Sequence, residues 1–317
     1  MKKLDLATIK KLDKSDMLGL LLDFPLQCRA ALDIAGKAKM SFEKRDFNKI
    51  VFAGLGGSAI GADLARAYLY SESKLPISVI REYELPAYVD SASLVFILSY
   101  SGNTEETLSV YAQARKINAT IIAISSGGKL KELADKDGCA FIGIPKNLPP
   151  RCSLGYLSLI PLCVLESLGL AKEVKPFVNQ MVALLEELRD KCLKPQIGQK
   201  DNIAKSVAVK LLNKFTVVYS ASVHFDVCAV RLRGQIAENS KALASSHFFP
   251  EMNHNEIVGW EEPKKLFKNF TVIMLRDNLM HPRVSLRMDI TGDMLKSKAG
   301  AVIEIWSRGQ GLLSRMF

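Results

Sequence analysis

The sequence predicts an α/β protein with two tandem domains, each a doubly wound and mostly parallel sheet, preceded by an N-terminal helical arm. Three observations support this prediction. Short apolar runs alternate with segments of helical periodicity, as in parallel sheets with helical crossovers. The chain has 317 residues, which suits two domains. Glycine and hydroxyl residues follow two of the apolar runs directly, as in ligand-binding loops at the carboxyl edge of such sheets.

Composition argues against several classes of protein. The net charge is +10, but the Lys and Arg residues are scattered, so nucleic-acid binding is not expected. No apolar run approaches the roughly 18 residues that span a bilayer, and no secretory signal is recognisable, so no membrane association is expected. The six cysteines are widely spaced, without a Cys-x-x-Cys pair. We therefore expect free thiols, no metal site and a cytoplasmic protein.

The arm and the first domain are predicted from periodicity. Residues 1–45 carry apolar side chains at helical spacing and are expected to pack on the first domain, residues 46–170. This domain opens with a strand at 50–53, followed by a glycine-rich turn and a helix. Further strands are predicted in apolar runs at 77–80, 94–98, 120–124 and 141–144. A mostly apolar helix at 151–170 completes the domain.

The second domain is predicted to repeat this pattern. Residues 171–200 form a connecting helix and linker, and residues 201–317 form the domain itself. Strands are expected at 216–222, 270–275 and 301–306, with a helix that ends near 237–241. The loop at 307–311 is expected where the loop at 99–104 lies in the first domain.

The loop at 99–104 carries the clearest binding signal. An apolar run ends there in Ser99, Ser101, Gly102 and Thr104, and a helix follows. Hydroxyl groups, a glycine and the free N–H groups of a helix start suit a single terminal phosphate. The loop lacks the Lys of a nucleotide P-loop. Since Ser and Thr also serve as ordinary helix caps, this loop by itself leaves a purely structural role open.

The glycine-rich turn at residues 54–59 has two interpretations. It satisfies the dinucleotide fingerprint if Ala is allowed at the third position, which keeps an NAD-dependent oxidoreductase as an alternative. The acidic residue that the fingerprint requires comes late, at Glu82, and a dinucleotide gives no function to the second loop. A sugar phosphate that contacts Gly56, Gly57 and Ser58 as well as the loop at 99–104 uses both features.

Five motifs together closely resemble the bifunctional phosphoglucose/phosphomannose isomerases of the sugar isomerase (SIS) superfamily. They occur in order between about residue 45 and the C-terminus: Gly56-Gly-Ser58, Ser99-Tyr-Ser-Gly-Asn-Thr104, Pro149-Pro-Arg151, Ala237-Glu-Asn-Ser240 and Asn253-His-Asn255. The Ser-Tyr-Ser-Gly-Asn-Thr loop is typical of SIS domains generally, and the last two motifs narrow the resemblance to isomerases. The resemblance implies two tandem SIS domains with flavodoxin-like sheets.

The resemblance also implies the role of each site residue. Glu238 would move a proton between C1 and C2 of a hexose 6-phosphate through a cis-enediol. Arg151 would stabilise the enediolate oxygen, and His254 would open the sugar ring by proton transfer. That His usually comes from the neighbouring subunit in this superfamily, so a homodimer is expected. No cofactor is expected.

Two questions stay open at the level of the sequence. Family members continue past the last strand through further helices, and this chain stops at Phe317, so the second domain is expected to lack its last helices. Because that segment helps to admit the mannose epimer, mannose-6-phosphate isomerisation stays open. The alternative to an enzyme is a non-catalytic sensor that binds sugar phosphates. Such regulators usually carry a helix-turn-helix, and residues 1–45 contain no convincing one.

Overall fold

The structure is a computed structural model that describes residues 4–40, 42 and 46–317; residues 1–3, 41 and 43–45 of the predicted arm lie outside this description. Within the described residues there are nine strands and fourteen α-helices. The strands are β1 (Lys49–Ala53), β2 (Ile77–Ile80), β3 (Ser93–Leu98), β4 (Thr120–Ser125), β5 (Ala140–Gly143), β6 (Phe215–Ala221), β7 (Ala244–Phe249), β8 (Phe270–Arg276) and β9 (Ala301–Trp306). The helices are α1 (Leu6–Leu12), α2 (Met17–Leu22), α3 (Phe24–Lys37), α4 (Gly56–Leu69), α5 (Glu105–Lys116), α6 (Gly128–Asp137), α7 (Leu154–Ser167), α8 (Lys175–Leu188), α9 (Ile203–Leu211), α10 (Asp226–Ser240), α11 (Glu256–Gly259), α12 (Lys264–Phe267), α13 (Pro282–Lys298) and α14 (Leu312–Met316).

The chain forms two compact units. The first consists of residues 23–182, and the second consists of residues up to 22 together with residues 183–317. Helix α3 belongs to the first unit, where it packs against α7. Helices α1 and α2 belong to the second unit, and none of their residues, all of which the structure describes, is buried. The expected arm is therefore divided between the units, because helical periodicity shows that a helix has an apolar face but not which partner covers it.

The first unit contains the predicted parallel sheet. Its five strands run in the order β2-β1-β3-β4-β5 and all pairs are parallel. Strands β3 and β4 are buried along their whole length, which explains their continuous apolar sequence. Phe52 and Phe96 pair across β1 and β3, with ring centroids 4.9 Å apart. This register brings the carboxyl ends of β1 and β3 to the same edge.

The second unit repeats this topology with four parallel strands in the order β7-β6-β8-β9. Strands β6, β7, β8 and β9 take the places of β1, β2, β3 and β4. One face of the sheet packs on α13 through a cluster of large apolar side chains. Its buried members include Tyr219, Phe249, Met252, Trp260, Phe267, Met274, Met288 and Leu295.

One strand of the second sheet was not predicted from the sequence. Strand β7 is an edge strand in which Ser245, Ser246 and His247 are half-buried, so it has no apolar run. The sequence therefore predicts one strand too few for the second sheet. For this reason the expectation that loop 307–311 corresponds to loop 99–104 is wrong. Loop 307–311 follows the fourth strand of its unit, β9, whereas loop 99–104 follows the third strand, β3. The residue that directly follows the third strand of the second unit is Asp277.

Two features are absent from the part of the chain that the structure describes. No helix in these residues is both long enough and apolar enough to cross a membrane. No group of three or more His, Cys, Asp and Glu side chains in the same residues could hold a metal ion.

Candidate active site

The glycine turn lets three chain segments approach one another at the carboxyl edge of the first sheet. Gly56 begins α4 with φ +50°, a left-handed conformation that favours glycine. A Cβ atom on Gly57 would lie 2.9 Å from the carbonyl oxygen of Pro150, and one on Gly54 would lie 3.0 Å from that of Leu98. Gly54 and Gly57 therefore leave room for the neighbouring backbone of Leu98 and Pro150. A dinucleotide-binding turn does not require these two contacts.

The loop at 99–104 uses some of its hydroxyl groups internally. Ser99 is 1% exposed; its Oγ lies 2.8 Å from Thr104 Oγ1 and accepts the Gly102 N–H at 3.1 Å. Ser101 is exposed, and its Oγ accepts the Asn103 N–H at 3.2 Å. Thr104 is the N-cap residue of α5, but its side chain makes no capping hydrogen bond. The Thr104 hydroxyl therefore does not act as an ordinary helix cap.

Ser58 connects the glycine turn to this loop. The Ser58 side chain is buried, and its Oγ accepts the Tyr100 N–H at 3.3 Å. The Tyr100 hydroxyl donates to the carbonyl oxygen of Pro145 at 3.0 Å and accepts the Leu148 N–H at 2.7 Å. The loops after β1, β3 and β5 are thus joined by hydrogen bonds, and Ser58 serves this connection.

The loop after β4 also supports the site, although its residues are not among those predicted from the sequence. Gly102 has φ +70°, and a Cβ atom there would lie 1.8 Å from the carbonyl oxygen of Gly127. The Asn103 side chain accepts the Lys129 N–H at 2.9 Å through its Oδ1 atom. The signal was present in the sequence, because β4 ends in Ser-Ser-Gly-Gly, a run of small residues like those after β1 and β3.

Arg151 lies beside the glycine turn. It is the middle residue of a short 3-10 helix, Pro150–Cys152, and its Cα lies 3.5 Å from the position of a Cβ on Gly57. The structure therefore brings together, at one edge of one sheet, the glycine turn, Ser58, the loop at 99–104 and Arg151. Hydroxyl groups, backbone N–H groups and an Arg residue at one edge suit a phosphate and a developing anion.

Glu238 and His254 lie at opposite edges of the second sheet. Glu238 is exposed in the last turn of α10, which ends at Ser240 as predicted and packs on β6 and β7. Because α10 is the crossover between these parallel strands, its last turn lies at the amino edge. His254 is exposed in a 3-10 helix, Glu251–His254, that follows the carboxyl end of β7. A strand of six residues separates the two edges by about 17 Å.

The segment that carries His254 is anchored on both sides. The side-chain amide of Asn253 donates to Thr291 Oγ1 of α13 at 3.2 Å. The Tyr219 hydroxyl donates to Glu256 at 2.5 Å and accepts from Trp260 Nε1 at 2.9 Å. Burial, together with the hydrogen bond to Glu256, raises the pKa of Tyr219 well above its usual value, so this hydroxyl keeps its proton. His254 is thus presented on a fixed segment.

The chain is similar to known proteins along most of its length. Residues 45–144 match the model of the SIS domain, and residues 200–317 match that of the bacterial phospho-glucose isomerase C-terminal SIS domain. The chain is 46% identical over 296 residues to the bifunctional phosphoglucose/phosphomannose isomerase of Caldicellulosiruptor bescii, covering 93% of this chain and 87% of that protein. It is 37% identical to the protein of the same name from Aquifex aeolicus, over 85% of this chain and 79% of that protein.

The fold is also similar to solved structures. The crystal structure of a hypothetical protein from Thermus thermophilus superposes with a TM-score of 0.72 at 15% sequence identity. The match covers 96% of this chain and 85% of that one. At this level of identity the similarity concerns the fold alone.

Proposed function

Because the chain belongs to the bifunctional phosphoglucose/phosphomannose isomerase family, we propose that it interconverts glucose-6-phosphate and fructose-6-phosphate and also isomerises mannose-6-phosphate. The observation that carries this proposal is the convergence of the glycine turn, the loop at 99–104 and Arg151 at one edge of the first sheet. We further propose that the enzyme is cytoplasmic, which its six free cysteines support.

The sugar phosphate binds first through its phosphate group. Ser101 and Thr104 offer hydroxyl groups, and the backbone N–H groups at the start of α5 add donors and the positive end of a helix dipole. Ser58 and Ser99 hold the surrounding loops in place, since both are buried and each accepts a backbone N–H group of the loop at 99–104. The phosphate is chemically unchanged in the reaction, so these contacts contribute binding rather than rate.

The proton transfer needs one base and one anion stabiliser. Glu238 removes the proton from C2 of the open-chain aldose and returns it to C1, which passes through a cis-enediol and gives the ketose. A well-placed general base contributes about 10² to 10⁴-fold in rate. Arg151 donates hydrogen bonds to the oxygen on which negative charge develops, and one such donor is worth roughly 3 to 4 kcal/mol in other enzymes.

Ring opening requires a second proton-transfer group, His254, and we propose that it is contributed by the second subunit of a homodimer. The support is geometric. Glu238 and His254 lie at opposite edges of one sheet, separated by at least the length of β7, about 17 Å. One sugar phosphate cannot contact both residues of the same subunit at that distance, so each site combines Glu238 of one chain with His254 of the other.

The test of the function is a coupled isomerase assay of the wild type, followed by Glu238→Gln. The substitution keeps the shape of the side chain but cannot accept a proton, so kcat should fall by at least about 10²-fold with substrate binding nearly intact. The Glu238→Asp variant should keep more activity than the Glu238→Gln variant. In deuterated water the wild type should exchange the C1 proton of fructose-6-phosphate, and the Gln variant should not.

The controls separate the enzyme from its alternatives. Glu173→Gln removes another exposed carboxylate, which is not a residue of the predicted site, and should leave kcat unchanged. If the wild-type protein binds the sugar phosphates without converting them, it is a sensor and not an isomerase. A Gln variant that exchanges the C1 proton at the wild-type rate would show that another residue is the base.

A further inference from the structure

Gln27 of α3 is a buried polar residue with no role in the mechanism above. It is 9% exposed, and both ends of its side-chain amide make short hydrogen bonds. Its Nε2 donates to the carbonyl oxygen of Cys152 at 2.7 Å, and its Oε1 accepts the Gly155 N–H at 2.7 Å. A buried amide costs free energy unless it is hydrogen-bonded, so these two contacts explain why a polar side chain is tolerated there.

Gly155 leaves the space that the side-chain amide of Gln27 occupies. A Cβ atom on Gly155 would lie 2.8 Å from Gln27 Oε1, so the close approach depends on a glycine at this position. Gly155 is the second residue of α7, whose N-cap residue, Ser153, directs its hydroxyl to the carbonyl oxygen of Pro150 and makes no capping bond. The Gln27 amide therefore satisfies an N–H group at the start of α7 from a neighbouring helix.

The same amide fixes the chain next to Arg151. The 3-10 helix Pro150–Cys152 is approached closely by Gly57 at its first residue and is hydrogen-bonded by Gln27 at its last residue. Cys152 directly follows Arg151, so its carbonyl group helps to set the direction in which the Arg151 side chain leaves the backbone. A donor to a developing anion works only within a narrow range of distances.

We propose that Gln27 is a positioning residue for Arg151 in the isomerase reaction. This inference rests on the proposed function, in which Arg151 contacts the enediolate. Gln27 itself touches no substrate; it holds the segment that presents the guanidinium group. Helix α3 thereby contributes to the rate of the reaction.

The first test is Gln27→Met, which keeps the approximate shape and removes both hydrogen bonds. Small displacements of a group that acts in the transition state cost up to about 10²-fold in rate, so kcat should fall about tenfold while KM changes less than about twofold. Cys28→Ala is the matched control, because Cys28 is the next residue of α3 and is fully buried. It removes packing in the same helix but leaves both hydrogen bonds of Gln27 in place, so kcat should stay near the wild-type value.

A double-mutant cycle tests whether Gln27 acts through Arg151. In an Arg151→Ala background, Gln27→Met should lower kcat no further, because the group that it positions is gone. Losses that multiply would overturn the proposal, as would a full wild-type kcat for Gln27→Met alone. If Arg151→Ala alone leaves kcat unchanged, the role of Arg151 in the proposed function fails, and this inference fails with it.

Gln27→Glu adds a readout that a purely structural residue would not give. A protonated Glu can still donate to the Cys152 carbonyl oxygen, whereas the carboxylate places two acceptors against each other. Burial raises the pKa of such a carboxyl group. The kcat of Gln27→Glu relative to wild type, measured at each pH, should therefore rise as the pH falls. A ratio that does not change with pH would contradict the proposed hydrogen bond.

Discussion

Ser101 and Thr104 are the residues at which phosphate binding can be tested. Replacing Ser101 by Ala and Thr104 by Val removes two hydroxyl groups and keeps the approximate volume of both side chains. Hydrogen bonds to a charged group are worth about 1.5 to 3 kcal/mol each, so KM for fructose-6-phosphate should rise at least about tenfold. Because the phosphate does not react, kcat should change only a few-fold. Steady-state kinetics of the double variant gives both values.

Ser109→Ala is the control for this experiment. Ser109 lies in the same helix, α5, and its hydroxyl donates to the carbonyl oxygen of Tyr83 at 2.7 Å, outside the loop at 99–104. Its KM should stay within about twofold of the wild-type value. A double variant at 101 and 104 with an unchanged KM would mean that the phosphate binds elsewhere.

The sequence could predict which residues gather at this site but not what each hydroxyl group does. Residues that directly follow parallel strands meet at one edge of the sheet, so their proximity follows from the strand pattern. A hydroxyl group can donate or accept in any direction, and its partner depends on the fold. This is why Ser99 and Thr104 were both predicted as phosphate ligands, although in the structure their hydroxyl groups are 2.8 Å apart. Gln27 escaped prediction because its partners lie about 125 residues away in the sequence.

At the level of elements, Gly102 joins the loop after β3 to the loop after β4. Gly102→Ala should be strongly destabilising, because it adds a Cβ 1.8 Å from the Gly127 carbonyl oxygen to a residue with φ +70°. The left-handed conformation alone costs about 1 to 2 kcal/mol, and the backbone collision adds to this. Thermal and urea denaturation should show a loss clearly above about 2 kcal/mol, on the order expected for a backbone collision.

Gly138→Ala is the matched comparison for this loss. Gly138 has nearly the same φ, +67°, but a Cβ there would meet nothing within 4 Å. Its substitution should therefore show the conformational cost by itself, about 1 to 2 kcal/mol, and leave KM unchanged. Equal losses for the two variants would indicate that the contact between the two loops adds nothing to stability.

The elements that the sequence predicted well are those that are buried on both faces. The apolar runs of β1, β3 and β4 leave little ambiguity, and the predicted α/β class with two parallel sheets is confirmed. Strand β7 escaped detection because an edge strand needs fewer apolar side chains, and three of its six residues are Ser or His. An undetected edge strand changes the count of all later strands, which is how the correspondence of loop 307–311 was misjudged.

At the level of the whole molecule, the separation of Glu238 and His254 predicts complementation between inactive subunits. Glu238→Gln and His254→Ala proteins are each expected to be inactive. After subunit exchange, half of the subunits in a random mixture form mixed dimers, and each mixed dimer contains one site with both residues intact. About a quarter of the wild-type activity should therefore return, since one site in four is then complete.

Exchange must be demonstrated independently, for example with differently tagged subunits that are purified together. A mixture of Glu238→Gln with Glu238→Asp, which cannot restore an intact site in this way, should show no activity beyond the sum of its parts. If the mixed dimers are isolated and remain inactive, Glu238 and His254 do not act at a shared site.

Asp277 gives the repeated fold a further consequence. It directly follows β8, as Ser99 directly follows β3, but its buried carboxylate accepts the Ser307 hydroxyl at 2.5 Å and is ion-paired with Arg315 at 3.2 Å. The position that we propose for the phosphate in the first sheet is therefore filled in the second sheet by a carboxylate of the protein itself, which would repel an anion. Although the chain contains the same topology twice, we therefore expect one phosphate to bind per chain, at the loop at 99–104, rather than one per domain.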